Sequence, residues 1–384
     1  MHVGVLGGGL QGLEAAYLLR KAGHRVVMLD RRPQAPAFGL ADEKLNFDVL
    51  ACSSSQLSAF LQKVDVIIPA TENSPALAVM AKAALEAGIT FCHDAEAFRV
   101  SRDKLLSNQL FERLGLPRPL PWPLGNYPLF VKPACGSGSE GVQVVSLPSE
   151  LAEILERQTQ HQGGLVIEEF VSGPSYSVEV VTVQGKGVAF AATLLHFDEH
   201  FDCNRVLAPC DLSDQEAEKM REMALQVASA LNLTGVMDLE TIYADRQFKV
   251  LEIDARLPSQ TPTAVLHATG ENLMAYLLAA FMQKELPVPS TESKKAVIYE
   301  HLYFDGRQLS SPGEHALAEC TDWFYHTEDF FGADEAITNY RKGHPWLATI
   351  ILTDESREKV WLKRQSLLQN ILTAHHASPE KFLL

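Results

Sequence analysis

Nowhere in the 384-residue chain does an apolar run approach the roughly twenty residues that a membrane-spanning helix needs, so no transmembrane segment is expected. The chain runs straight into a strand without a signal-peptide pattern, and a cytoplasmic protein is the expectation. Positive charge is scarce. The 33 Lys and Arg residues face 48 Asp and Glu, a net charge of -15, which disfavours nucleic acid as a partner and favours cationic small molecules. Cysteine is sparse too: Cys52, Cys92, Cys135, Cys203, Cys210 and Cys320 form no C-x-x-C pair and no regular framework, which fits reduced packing thiols better than disulfides or zinc. The G-x-x-x-x-G-K-[ST] phosphate loop is missing, as are internal repeats and low-complexity tracts. What remains, 46% hydrophobic and 21% charged residues, is the composition of an ordinary globular protein, long enough for two or three domains.

Chemistry concentrates in GVMDLETIYADRQFKVLEIDAR, two β-rich runs joined by a polar turn. Side chains alternate along a strand, so Asp238 and Glu240 share one face of the first run, and Glu252 and Asp254 one face of the second. A turn of odd length, such as residues 245–247, places Glu240 opposite Glu252 and Asp238 opposite Asp254 on one side of the sheet. Two like charges ~4 Å apart repel by about 4 kcal/mol at an effective dielectric of ~20, so a cation is expected between them. A divalent metal carrying phosphate is the candidate, with Arg256 just past the strand end as an added cation. A solvated amphipathic hairpin is the plain alternative.

Upstream, a strand at residues 3–6 meets Gly7, Gly9 and Gly12 in G-x-G-x-x-G spacing, a helix follows to about residue 22, and a second strand at 25–29 finishes at Asp30, 18 residues past Gly12. That is close to a dinucleotide fingerprint, although no hydride-transfer site accompanies it. A strand at 64–70 leads to Glu72, with Asn73 or Ser74 capping a helix that ends near Gly88. Glu72 thus stands where open α/β sheets bind ligands, or is a surface acid. From Ser101 a helix carrying Arg102, Asp103 and Lys104 is expected to run to Leu114, and LPRPLPWPL, with four prolines in nine residues, marks a connector. An apolar strand at 129–132 ends in Lys132 and opens the loop PACGSGSEG, whose backbone N–H groups either close over phosphates or form a hairpin tip. LVIEEFV, residues 165–171, is a strand, while 175–183 and 188–195 are expected to pair as a hairpin about Gly185 and Gly187. His196 and His200 fall in a polar, aromatic stretch read as a surface loop, with a metal as the other option. Ser213 and Glu216 form a capping box opening a helix that ends near Asn232. PSQTPTAV reads as a polar loop and 270–283 as a helix. The last hundred residues alternate short strands and loops before a helix at about 356–372, and Trp323, Phe324, Tyr325, Phe330 and Phe331 are expected to pack a small lobe.

The order of these parts, a βαβ lobe, a lysine helix, a strand–lysine–glycine loop, an EEFV strand and acid-x(11)-Glu-x-Asp-x-Arg, resembles the ATP-grasp superfamily of carboxylate–amine ligases over roughly residues 1–300. The resemblance implies an α/β protein of α+β domains: a Rossmann-like N-terminal domain at 1–98, a two-lobed ATP-grasp domain at 99–289 and a small C-terminal lobe at 290–384. It implies ATP and Mg2+ as well. Lys104 and Lys132 would contact the phosphates, the loop 136–141 with Ser139 would fold over them, and Glu168, Glu169, Phe170 and Val171 would hold adenine and ribose. Glu240, Glu252 and Asp254 would bind magnesium, and Arg256 would steady the transferring phosphoryl group.

The superfamily usually has asparagine and proline where this chain has Asp254 and Ala255. That departure, with LEIDARLPSQTPTAV, LGGGLQGLEAAYL, FRVSRDK, FDEHFDCN, GVMDLE and IYEHL, is similar to the narrower family of 3-methylornithine–lysine ligases of pyrrolysine biosynthesis. The similarity implies 3-methyl-D-ornithine and L-lysine as substrates, joined through an acyl phosphate. Leu10, Gln11 and Glu72 would meet lysine; Ser177, Glu179, Ser259, Gln260 and Thr261 would meet methylornithine; Asp238 would face substrate. No nucleic-acid or membrane partner is expected, and a homodimer stays open. The other readings are a different ATP-grasp amino-acid or purine-precursor ligase, an NAD-dependent dehydrogenase and a catalytically dead binding protein.

Overall fold

A computed structural model describes residues 1–136, 138–158 and 164–380 of the chain. In the N-terminal part, β1 (His2–Leu6), β2 (Arg25–Asp30), β3 (Glu43–Asn46), β4 (Val66–Pro69) and β5 (Thr90–Phe91) form a parallel sheet in the order β3-β2-β1-β4-β5. Its central strands β1, β2 and β4 are apolar runs because both faces are covered, whereas the edge strand β3 reads EKLN. Val3, Val5 and Ile68 pack with α1 (Leu10–Lys21), while Leu6, Leu29 and Ile67 pack with α2 (Ser54–Leu61) and α3 (Ser74–Ala87). A Cβ on Gly12 would stand 2.4 Å from the Gly7 carbonyl oxygen, so only glycine lets α1 begin this close to β1. Asn73 caps α3 and Gly88 ends it in the left-handed conformation.

The expected helix from Ser101 is two helices. α4 (Ala95–Ser101) ends before Asp103, whose side chain accepts from Leu105 N and Leu106 N and so starts α5 (Lys104–Arg113). An aspartate with extended backbone is a start signal, and it puts Lys104 in a first turn instead of mid-helix. After the proline connector, β6 (Leu129–Pro133), β7 (Gln143–Val145) and β8 (Leu165–Glu169) make a small antiparallel sheet, order β7-β6-β8, against α6 (Pro148–Gln158).

The remaining strands belong to one 12-stranded sheet. These are β9 (Ser175–Val183), β10 (Lys186–Ala189), β11 (Thr193–Phe197), β12 (Cys203–Ala208), β13 (Gly235–Ala244), β14 (Gln247–Asp254), β15 (Ala296–Phe304), β16 (Gln308–Ser310), β17 (Tyr325–Phe330), β18 (Ala333–Thr338), β19 (Trp346–Asp354) and β20 (Ser378–Pro379). The main path is β14-β13-β9-β11-β12-β15-β19-β18-β17, so the strands expected in a small C-terminal lobe continue the sheet that carries the acidic hairpin. The hairpin expected at 175–195 is also different. β10 pairs with the far half of β9, the chain bends at residues 190–192 while Phe190 N still donates to Glu179 O, and β11 pairs with the near half. One long buried strand thus receives two short partners.

α7 (Asp214–Ala230) opens with the predicted Ser213–Glu216 capping box. The presumed loop PSQTPTAV contains α8 (Thr261–Thr269), followed by α9 (Leu273–Phe281). Pro262 does not oppose a helix there, because first-turn N–H groups have no intrahelical partner to lose. α10 (His315–Ala318) and α11 (Arg357–His375) complete the chain. Of the five late aromatics, Phe324 and Phe330 are buried, while Tyr325 is exposed. Among the described residues no helix is long and apolar enough to cross a membrane.

Candidate active site

β13 and β14 pair with Asp238 opposite Asp254 and Glu240 opposite Glu252, as strand alternation predicts. The turn is shorter than expected. Ala244 pairs with Gln247, leaving Asp245 and Arg246, at φ 52° and 61°, as a two-residue turn. Such a turn alone would leave the acids one residue out of phase. A β-bulge restores the phase: Thr241 pairs with Val250 and Glu240 with Glu252, so Leu251 is the extra residue, and its carbonyl accepts from Lys132 Nζ at 3.4 Å.

Protein cations already answer part of the repulsion. Lys104 Nζ lies 2.7 Å from Glu252 Oε1 and donates to the Gly136 carbonyl at 2.7 Å. Arg256 donates to Asp254 Oδ2 at 2.6 Å and to Glu72 Oε1 at 2.9 Å, and Gln11 Nε2 donates to the same Glu72 oxygen at 3.1 Å. Burial, with Glu252 and Asp254 close by, pushes Glu240 up to about 8. Burial also raises Asp238 and Asp254 well above the usual carboxylate range, although Arg256 opposes it. For Lys104, burial alone would lower the ammonium, yet Glu252, Asp254 and Glu240 hold it above its ordinary value. The set Glu240, Glu252 and Asp254 offers only oxygen donors, and its raised acids are what a hard divalent cation relieves, so the residues fit Mg2+. As they stand, Glu252 turns to Lys104 and Asp254 to Arg256, and among the described residues no three His, Cys, Asp or Glu side chains already converge on one point.

Two cavities meet at Glu240 and Glu252. The larger, about 660 Å3, lies between the two sheets and is lined by Lys104, Lys132, Gly136, Gly138, Ser139 and the run from Glu168 to Val171. Lys132 is buried against Glu168 at 2.8 Å, and Glu169 pairs with Lys249 at 2.6 Å. Both glutamates are therefore engaged, and the strand offers its backbone and Phe170 instead. Ser139 donates to the Phe201 carbonyl at 2.6 Å, joining the glycine loop to the turn before β12. Ser137, within the loop singled out above, lies outside the described residues. His196 and Asp211 line this cavity too; His196 stands near the end of β11 and not in the expected loop, is half-buried and is held below its ordinary value by that burial, while His200 stays exposed.

The smaller cavity, about 100 Å3, is lined by Asp238, Asp254, Arg256, Ser259, Gln260, Thr261 and Glu314. Behind Asp238, Ser177 donates to the buried Glu179 at 3.1 Å; burial lifts Glu179 to about 7. Leu10 and Gln11 open α1 beside Glu72, on the other side of Arg256. Of the site residues named from sequence, Gln11 and Glu72 reach the cavities through Arg256, Ser177 and Glu179 pair with the strand that carries Glu240 and Asp238, and Leu10 lines neither cavity. Glu314 was missed because it lies in SPGEHALA, a run with no motif, far from the hairpin in sequence. Asp30, the acid of the dinucleotide spacing, accepts from Gly8 N at 2.6 Å and Arg32 N at 2.7 Å and so serves its own turn, away from both cavities.

Residues 3–92 match the PylC-like N-terminal domain, and residues 101–260 the ATP-grasp domain. The 3-methyl-D-ornithine–L-lysine ligase of Methanosarcina acetivorans is 38% identical over 330 residues, 85% of this chain and 86% of its own. That of Methanosarcina barkeri is 36% identical over 366 residues, 94% of each. Among solved structures, N5-carboxyaminoimidazole synthase from Aspergillus clavatus, in complex with ADP and 5-aminoimidazole ribonucleotide, has a TM-score of 0.72 at 17% identity, covering 96% of this chain and 98% of that one. That likeness speaks for the fold.

Proposed function

The chain belongs to the 3-methyl-D-ornithine–L-lysine ligase family of ATP-grasp enzymes, and from that membership we propose that it forms an amide between the carboxylate of 3-methyl-D-ornithine and the ε-amine of L-lysine, with ATP cleaved to ADP and phosphate, as a step of pyrrolysine biosynthesis. The observation that carries the reading is the junction of the two cavities at Glu240 and Glu252: a nucleotide-sized space with two lysines on one side, an acid-lined space for amines on the other.

In this mechanism Lys104 and Lys132 bind the phosphates, and the loop that carries Gly136, Gly138 and Ser139 in the cavity lining closes over them. Glu240, Glu252 and Asp254 would hold Mg2+, which would supply charge neutralisation for the phosphates. A carboxylate oxygen of the D-amino acid attacks the γ-phosphorus as the bond to ADP breaks, and Arg256, fixed between Glu72 and Asp254, steadies the transferring group. The neutral ε-amine of lysine, placed by Gln11 and Glu72, then attacks the acyl carbon, and phosphate and one proton are released. Exclusion of water by the closed loop protects the acyl phosphate.

The test is a single incubation of the enzyme with ATP, Mg2+, 3-methyl-D-ornithine and L-lysine. ADP together with the mass of the amide is expected. ADP release only with a different amine, or none at all, overturns the substrate assignment.

A further inference from the structure

Outside both cavities, one carboxylate ties together three stretches of the chain to which the chemistry above gives no common task. Glu335, on β18, has 13% of its side chain exposed. Its Oε1 accepts from Lys21 Nζ at 2.7 Å; its Oε2 accepts from the Tyr17 hydroxyl at 2.8 Å and lies 2.6 Å from His326 Nε2 on β17. Tyr17 has one hydroxyl hydrogen and the carboxylate takes it, so His267 Nε2, 2.7 Å away on α8, donates to the phenol oxygen. Burial alone would raise the Glu335 carboxyl, yet the bonds from His326, Lys21 and Tyr17 hold it below its ordinary range. A charged acid thus receives two hydrogen bonds from α1 and reaches α8 through one phenol.

The two helices it grips are those whose first turns face the site. α1 opens with Leu10 and Gln11, and Gln11 bonds to Glu72; α8 opens with Thr261, which lines the smaller cavity beside Gln260. The helices are laced twice. Near the site Thr263 N donates to Glu14 at 2.7 Å, and one turn further on Tyr17 meets His267. Both contacts climb α1 and α8 in the same sense, from Glu14 to Tyr17 and from Thr263 to His267, so the helices run side by side with both first turns at one end. Glu335 takes hold of the pair at the second contact and fixes it to β18, a strand of the sheet that also carries Glu240 and Glu252.

We propose that Glu335 is a positioning residue for amide formation: by fixing α1 and α8 to the sheet of the acidic hairpin, it sets where the acceptor amine stands against the activated carboxylate. This rests on the ligase reading above. The acyl phosphate has two exits. Attack by the ε-amine breaks the bond from the acyl carbon to the phosphate oxygen and gives amide, phosphate and one proton. Attack by water breaks the same bond and returns the free carboxylate with phosphate, so that ATP is hydrolysed without product. A shift of about 1 Å in a reacting group costs on the order of 100-fold in rate, whereas water needs no placing, so a loosened amine side diverts the intermediate to hydrolysis. Both direct bonds from the helices come from α1, which carries Gln11, so losing the charge on Glu335 releases the amine side first.

The test runs the enzyme with ATP, Mg2+ and 3-methyl-D-ornithine against L-lysine and, separately, against hydroxylamine, which is small enough to trap the acyl phosphate as a hydroxamate without being placed. Wild type is expected to release about one ADP per amide. Glu335→Gln, which keeps the shape and removes the charge, is expected to form amide about tenfold more slowly, to release about three or more ADP per amide and to raise KM for L-lysine about tenfold, while hydroxamate formation and KM for ATP stay within about twofold. Glu335→Asp restores part of the coupling. Tyr17→Phe, which keeps the ring and removes the hydroxyl between Glu335 and His267, is expected to show the same change at about threefold and decides the matter if Glu335→Gln does not fold. Amide and hydroxamate falling together, or an ADP-to-amide ratio equal to that of wild type in the folded variants, overturns the assignment. Wild-type enzyme that forms neither hydroxamate nor amide refutes the ligase reading, and the assignment falls with it; wild-type enzyme that forms both leaves that reading standing whatever the variants do.

Discussion

Two glycine-rich turns follow two apolar strands in this chain, and they differ in what they leave unspent. In the turn at residues 7–12, Gly7 N donates to Leu29 O, Gly8 N to Asp30, and Gly8 O accepts from Ala37 N. Gly7 and Gly8 are thus satisfied by their own lobe, whereas Gln11 at the end of the turn reaches Glu72 in the site. The turn at residues 134–141 lines the larger cavity through Gly136, Gly138 and Ser139, with two buried ammonium groups at its base. Motif spacing favours the first turn as a ligand site, whereas hydrogen-bond accounting favours the second. A glycine motif is thus a statement about backbone packing until its N–H groups and neighbouring charges are traced.

Perturbing the open region should disable chemistry, and perturbing the contacts of Gly7 and Gly8 should cost stability alone. The largest effect is expected for Glu252→Ala, which removes a carboxylate shared by both cavities and leaves Lys104 without its partner; turnover should fall by about 10³-fold or more. A turnover within tenfold of wild type would refute the metal assignment. Next comes Lys132→Met, with kcat/KM for ATP expected to drop by about 100-fold. Glu168 loses its counter-charge in the same variant, so nucleotide affinity should be read by calorimetry beside a melting curve. Third is Asp30→Ala, which strips the acceptor from Gly8 N and Arg32 N. Stability in urea should fall by about 1–3 kcal/mol while kcat and KM for ATP stay within about twofold. NADH binding to wild type, or loss of ATP affinity in this variant, would erase the contrast between the turns.

The smallest effect is a change of slope. Burial lifts Glu14 from 4.5 to about 7, even though Thr263 N donates to it. An acid raised in the folded state contributes stability that is fully present below pH 4.5 and is lost as pH rises through 7. Glu14→Gln has no such loss, so between pH 4.5 and 7 its stability relative to wild type should rise with pH. Parallel unfolding free energies across that window would show that Glu14 is not raised.

The acids were legible because strand alternation has a period of two whatever the turn does. The bulge was not, since a two-residue turn with Leu251 inserted and a three-residue turn without it predict the same partners for Glu240 and Glu252. α8 was hidden by PSQTP, whose polar composition outweighed the tolerance of a first turn for proline. Glu314 was invisible for another reason: its place at the smaller cavity depends on Asp202 and Asp198 gripping its neighbours, contacts between segments with no local signal. In the parallel lobe β1, α1, β2, β4 and α3 were legible, α3 through Asn73 and Gly88, whereas β3, α2 and β5 escaped the sequence reading.

The bulge at Leu251 also governs how this hairpin tolerates insertions and deletions. Losing Leu251 alone would remove the bulge and let Glu252 follow Val250 directly, still opposite Glu240, so the acids would keep their face while Lys132 lost the carbonyl it reaches. Straightening the bulge with Leu251 kept in the chain is what would swing Glu252 and Asp254 to the opposite face, unless the turn grew to three residues by taking in Gln247. Length at the tip and length at the bulge are therefore exchangeable for register but not for the lysine, and a chain with the longer turn should keep its acids in place while holding that ammonium by Glu168 alone.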